Sequence, residues 1–330
     1  MTPDPATGAI PAEDLERYRR ELVGYCYRML GSIYEAEDAV QDTMLRAWRA
    51  RATFEDRTGL RPWLYRIATN VCLDMLKGRA RRALPMDVAP AATGELRRGD
   101  ARPGATWIQP APDSLVLPPG GDPADAADPA DRAVSRESVR LAFIAALQHL
   151  APRQRAVLIL RDVLHWRAAE VAALLETSAD AVNSTVRRAR ASLATVDRDS
   201  APAQPSAGHR ELLDAYVDAF QRHDVDALVG LLRDDAVLEM PPFELWMQGP
   251  GDIRRWLVAV DALGQELLTP VGANGSPAVA VYRPPAPGTR PTAFSLQVLD
   301  VVGGRISAIH VFLDPALFEL FGLPLEPVAS

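Results

Sequence analysis

Asp180, Asn183, Ser184, Arg187, Arg188 and Arg190 fall within one stretch of fourteen residues, DAVNSTVRRARASL. At helical spacing Val182, Val186, Ala189 and Leu193 share a face, and Asp180, Asn183, Ser184, Arg187 and Arg188 lie opposite. Guanidinium groups bind phosphates and guanine edges, while short amides and hydroxyls read base edges, so this face has the chemistry of a DNA reader. An ordinary solvated helix face carries the same residue types. The element before it adds to the case: Ala168 to Leu175 reads as a small apolar helix, and Thr177 and Ser178 supply turn and capping oxygens. Short helix, tight turn and polar-faced helix make a helix-turn-helix, a geometry that places the second helix in the major groove. A plain helical hairpin needs the same apolar spacing. The density of arginines favours DNA.

A second constellation lies far upstream. In SIYEAEDAVQDTMLRAWRARATF, Ala36, Val40 and Trp48 are the apolar positions of an amphipathic helix, and Asp38, Gln41 and Asp42 belong to an acidic-polar patch. In GLRPWLYRIATNVCLDMLKGRARR, Leu64, Ile67, Ala68, Val71 and Met75 share a face, with Pro62 suited to the first turn. Arg66, Asn70, Asp74 and Lys77 lie on another face with Trp63 at its edge, and the helix is expected to finish in the positive charge of Arg79, Arg81 and Arg82. Cations at a helix C-terminus are also explained by its dipole. Aromatic rings interleaved with basic residues are what a single-strand binder uses to stack bases and hold phosphates.

Acid–base candidates sit near the C-terminus: Asp300, His310 and Glu239, with Trp246, Met240 and Tyr282 as pocket walls. They form no recognisable catalytic spacing, and a lone histidine in a strand such as AIHVF is more often structural. Catalysis is therefore not expected. Cys26 and Cys72 stand in unrelated helices with no second ligand nearby and read as buried free thiols, so neither metal nor cofactor is expected.

These elements need a chain long enough to position them. The 330 residues suggest two or three domains, and 48% hydrophobic content makes them globular. A net charge of -7 argues against independent, non-specific DNA binding but suits clustered basic residues with a partner that lends affinity. No apolar run approaches the ~18 residues that span a bilayer. The first dozen residues lack an apolar stretch, so no secretory signal is expected and the protein is placed in the cytoplasm. Composition divides the chain into a disordered start (1–11), a helical block (12–83), a mobile Pro/Gly/Asp-rich linker (84–131), a second helical block (132–198), a breaker (199–207) and an α+β segment (208–330). The linker contains the acidic repeat DPADAADPAD and one apolar island, around Trp107 and Ile108.

EAEDAVQDTMLRAW, RPWLYRIATNVCLDMLKGRARR and LAPRQRAVLILRDVLHWRAAEVAALLETSADAVNSTVRRARASL resemble regions 2 and 4 of bacterial sigma-70 factors of the extracytoplasmic-function (group IV) type, in the expected order. The resemblance implies two all-α domains that dock on core RNA polymerase at the β′ clamp helices and the β flap. Asp38, Gln41 and Asp42 match its polymerase-docking patch. The Arg61–Arg82 helix matches the element that melts the −10 promoter element, and the Asp180–Leu193 helix the reader of the −35 element. Glu176 departs from the family, which often has glycine there. The C-terminal segment resembles a SnoaL-like, NTF2-like cone domain, found in a subset of these factors and thought to modulate them in cis. A pocket in that domain for a small molecule stays open. The rival reading is a one-component helix-turn-helix regulator with a ligand-sensing SnoaL-like domain, which would have no use for the first block's acidic helix.

Overall fold

The computed structural model describes residues 10–54, 59–92, 99–118, 134–196, 208–259, 266–286 and 288–327. The chain divides into two compact units, one made of 1–81 and 114–199 and the other of 82–113 and 200–330. The acidic repeat, the breaker and nearly all of the expected disordered start lie outside the described residues.

The first unit is helical. It begins with α1 (Ala12–Glu16), α2 (Arg19–Leu30), α3 (Ile33–Ala50) and α4 (Leu60–Met75). Gly31, at φ +69°, ends α2, and Ser32 then caps α3 by accepting from the Glu35 amide at 3.3 Å. Ile33, Ala36, Val40, Met44 and Ala47 bury one stripe of α3 and leave its acidic positions outside. Between α2 and α4, Tyr25 stacks edge-on against Tyr65 at 5.0 Å, and its hydroxyl meets that of Thr69 at 2.8 Å. Cys26 and Cys72 are both free and buried, but their helices are neighbours: the hydrogen-bonded Cys72 side chain, together with burial, pushes the Cys26 thiol well up. The expected helix to Arg82 stops at Met75, because the chain turns through Gly78 at φ +70°.

The same unit continues with α5 (Leu141–Gln148), α6 (Pro152–Leu158), a single π turn (Ile159–Val163), α7 (Ala168–Leu175) and α8 (Ala179–Val196). Two buried arginines knit the two helical blocks together. Arg28 of α2 donates to Ser138, from Nη2 to Oγ at 2.8 Å. Arg155 of α6 donates to the carbonyls of Leu147 at 2.9 Å and Leu150 at 3.3 Å, and also to that of Met29 in α2. Burial pulls both guanidinium groups down to about 10, still protonated at neutral pH.

The second unit is α+β. Helices α9 (Gly208–Gln221), α10 (Val225–Gly230) and α11 (Pro250–Ala259) accompany a six-stranded sheet of order β2-β1-β6-β5-β4-β3. The strands are β1 (Leu232–Glu239), β2 (Trp246–Gln248), β3 (Leu267–Ala273), β4 (Ser276–Arg283), β5 (Thr292–Val302) and β6 (Arg305–Phe312). Only the β1–β6 pair is parallel, and irregularities interrupt the register of β1–β6, β4–β5 and β5–β6. Such interruptions bend a sheet. Leu212, Tyr216, Phe220, Ile253 and Leu257 of the helices pack on Leu238, Val279, Leu299, Ile309 and Val311 of the strands.

Within the expected mobile linker (84–131), residues 84–92 and 99–113 take defined positions in this second unit. The Ala83 amide donates to the Thr106 carbonyl at 2.9 Å, the Ile108 amide donates to the Ala83 carbonyl at 3.1 Å, and Trp107 and Ile108 are buried. The Ala111 amide donates to Asn274 Oδ1 at 2.8 Å, the Asn274 amide returns a bond to the Ala111 carbonyl at 3.0 Å, and Gly275 N donates to Asp113 Oδ1 at 2.7 Å. Proline, glycine and aspartate suggested mobility, but an apolar pair with satisfied backbone partners has reason to dock.

Candidate functional site

On α8 the faces fall as the spacing requires. Val182, Val186 and Ala189 are buried, whereas Asp180, Asn183, Arg187, Arg188 and Arg190 are exposed and Ser184 is half-buried. Ser178 Oγ accepts from the Ala181 amide at 3.1 Å and so closes the turn before the helix. Arg190 is held bidentate by Asp162 at 2.8 and 2.9 Å, whereas Arg188 reaches only the Thr185 hydroxyl at 3.4 Å and Arg187 is exposed. The turn between α7 and α8 passes through Glu176 at φ +54°, a left-handed conformation that costs a non-glycine residue roughly 1–2 kcal/mol.

On α3, Asp38 and Gln41 are exposed and Asp42 pairs with Arg46 at 2.8 Å. The basic residues around α4 do not form one continuous free surface. Arg61 donates to Glu21 at 2.7 Å, a carboxylate it shares with the Tyr65 hydroxyl. Trp63 stacks on Phe54 at 4.9 Å, and Arg66 pairs with Glu176. Asn70 is exposed, and Lys77 pairs with Asp74 at 2.6 Å. Arg79 reaches Glu35, and Arg81 reaches the His149 ring. Arg82 is buried in the second unit, donating to the Trp107 carbonyl at 2.7 Å. Sequence reasoning missed Glu21 and Trp166. Trp166 is buried, with its ring 5.0 Å from that of Tyr65 and 5.5 Å from the Arg61 guanidinium. It stands in a loop with no periodic pattern, so no sequence signal pointed to it.

In the second unit a cavity of about 50 Å³ is lined by Tyr216, Phe220, Met240, Trp256, Ser295 and Gln297, among others. Met240 is the expected wall that lines it. Trp246 instead donates to the Ala89 carbonyl at 2.8 Å, and Tyr282 donates to that of Pro324 at 3.0 Å. Glu239, Asp300 and His310 do meet: His310 Nδ1 lies 2.5 Å from Glu239 and Nε2 lies 3.3 Å from Asp300. All three are buried, and they alternate along their strands with the cavity-lining Leu238, Met240, Ile309, Val311 and Gln297, so Glu239 and His310 lie on the opposite face of the sheet. Burial alone would lower the His310 pKa, but the two carboxylates outweigh it and raise it to about 10. Hence none of the acid–base candidates lines the cavity.

Residues 15–82 match the model of Sigma-70 region 2, 140–193 that of Sigma-70, region 4, and 213–309 that of the SnoaL-like domain. The chain is 47% identical to the ECF RNA polymerase sigma factor SigG of Mycobacterium tuberculosis, over 94% of this chain and 82% of that protein. The chain belongs to the extracytoplasmic-function sigma factors. This sigma factor is also 27% identical to the probable ECF sigma factor SigI of Mycobacterium tuberculosis, with 92% of each chain covered. The crystal structure of Mycobacterium tuberculosis SigJ superposes with a TM-score of 0.63 at 22% identity, over 96% of this sigma factor and 100% of that chain, so the fold is shared. Proteins of this family bind core RNA polymerase and promoter DNA and start transcription without chemistry of their own. Among the described residues no helix of this sigma factor is long and apolar enough to cross a membrane.

Proposed function

We propose that this sigma factor reads −35 DNA with Asp180, Asn183, Ser184, Arg187, Arg188 and Arg190. It would open −10 DNA with Arg61, Trp63, Arg66, Asn70, Lys77, Arg79 and Arg81. The observation that carries the first assignment is the partition of α8: a buried Val182–Val186–Ala189 stripe fixes the helix, and Asp180, Asn183, Arg187, Arg188 and Arg190 stand exposed on its other side. Arg190 contributes less than Arg187, since Asp162 already neutralises it. Arg82 drops out of the set, because its guanidinium is spent on backbone carbonyls within the second unit.

Asp38, Gln41 and Asp42 dock on the β′ clamp helices of the polymerase, and region 4 takes the β flap. The exposure of Asp38 and Gln41 on a helix whose other face is buried supports that assignment. The SnoaL-like domain tunes activity in cis and turns over no substrate, a reading supported by the burial of Glu239, Asp300 and His310 away from the cavity. The protein acts in the cytoplasm, where its polymerase is.

Run-off transcription with purified core polymerase on the gene's own upstream DNA tests this reading. A promoter-specific transcript that depends on the added chain supports it. Tight, sequence-specific DNA binding by the chain alone, with no transcript, points to a one-component regulator instead.

A further inference from the structure

In the first unit the Arg61–Arg66 end of α4 is occupied. Its occupant is region 4 of the same chain. Trp166, from the loop before α7, lays its buried ring against Tyr65 at 5.0 Å and beneath the Arg61 guanidinium at 5.5 Å. Glu176, from the turn after α7, sets its carboxylate on Arg66. An aromatic ring and an anion are what a nucleotide would offer the same two arginines. Glu176 also holds a left-handed backbone conformation that glycine adopts without strain. A residue that makes the turn harder to form but places a negative charge on Arg66 is accounted for by that charge.

We propose that Trp166 and Glu176 form an intramolecular latch that occupies the DNA-opening end of α4 in the free chain, in competition with single-stranded DNA. The proposal rests on the reading of Arg61 and Arg66 as DNA contacts. Within this unit the helix-turn-helix and α4 then cannot both serve DNA until the latch parts. The ion pair itself is exposed and weak. The buried Trp166 ring carries more of the latch than the ion pair does, and the Glu176 charge sets where it closes.

The test uses the full chain carrying spin labels at Arg49→Cys and Ala191→Cys, both exposed positions; the native cysteines are buried. Electron-spin distance measurements are made on the labelled parent, on Glu176→Arg, and on Glu176→Arg with Arg66→Glu. The expected result is a longer, broader distance distribution in the single variant and a return to the parent distribution in the swapped pair. Glu176→Gly, which suits the turn, should bind the non-template strand of the gene's upstream DNA at least threefold more tightly than the parent. Unchanged distances in Glu176→Arg overturn the latch. A distribution that opens with no gain in strand binding for Glu176→Gly overturns the competition. Arg66→Ala added to Glu176→Gly separates the two ideas, because strand binding equal to that of Glu176→Gly alone shows that the DNA role of Arg66 has failed on its own.

Discussion

Arg155 reaches from α6 to the carbonyl of Met29 near the end of α2, so a charge from the second helical block closes a helix end in the first. Four further acceptors, on Leu147, Gln148 and Leu150, fix the same guanidinium. Hydrogen bonds from a charged donor contribute about 1.5–3 kcal/mol each, and orphaned buried carbonyls add a cost when the donor goes. Arg155→Ala should therefore destabilise the first unit by about 3 kcal/mol, read as a lower urea midpoint. A loss below about 0.5 kcal/mol, the range of ordinary surface substitutions, would show that Arg155 is not the joint between the blocks.

Arg187→Ala should weaken promoter binding by holoenzyme by roughly 1–3 kcal/mol if the contact is bidentate to a base, and by less for a phosphate. Arg190→Ala should cost less than Arg187→Ala, since it already has Asp162. Filter binding at fixed salt gives the order, and the reverse order would move the interface along the helix.

Reversing charge at Asp38 and Asp42 should abolish binding to core polymerase while leaving the fold intact, because Asp38 is exposed and Asp42 is only half-buried. Arg46, which pairs with Asp42 at 2.8 Å, is the control: Arg46→Ala frees that carboxylate and should leave core binding in place. Native gel shift or co-elution with core enzyme reads both.

His310 gives a pH dependence. Its pKa rises from an ordinary 6.5 to about 10 in the folded chain, where Glu239 and Asp300 outweigh the effect of burial. A group raised on folding stabilises fully below 6.5, and that stability is lost as pH climbs through about 10. The second unit should thus melt at progressively lower temperature between pH 7 and 10, and His310→Gln should flatten that decline. Imidazole proton shifts recorded at pH 8 should still report the charged ring. A ring neutral at pH 8 would refute the triad's electrostatics.

Much of this was legible from residue spacing, and the failures have particular causes. The α8 stripe of Val182, Val186 and Ala189 and the α3 stripe of Ala36 and Val40 emerged from period alone, because helix burial follows it. The helix ends at Met75 instead of Arg82 because Gly78 takes a left-handed turn, which apolar spacing does not record. Arg82, Trp166 and Glu21 were misplaced or unseen because their partners lie 25, 101 and 40 residues away in sequence, at Trp107, Tyr65 and Arg61. AIHVF was readable as a strand, but which of its residues met the cavity depended on a register, interrupted between Asp300 and Val301, that no single strand records.

Trp107 and Ile108 make the SnoaL-like domain hard to remove. Ending the chain after Arg198 takes away Asn274 and Gly275, which hold Ala111 and Asp113, and leaves an apolar pair without its platform. Such a truncation should aggregate or bind a hydrophobic dye, and deleting 84–113 as well should restore solubility. Equal dye binding by both truncations would mean that the pair finds other cover.

The ribosome meets the same interleaving as a matter of order. The first helical block leaves the exit tunnel complete, but the segment from Arg82 to Asp113 emerges long before the strands that receive it. At about 5–20 residues per second, that segment waits on the order of ten to forty seconds for Asn274 and the sheet around it. During that interval Trp107 is exposed on a nascent chain, a binding site for a holding chaperone, and translation speed between the codons for Asp113 and Asn274 sets how long it stays so.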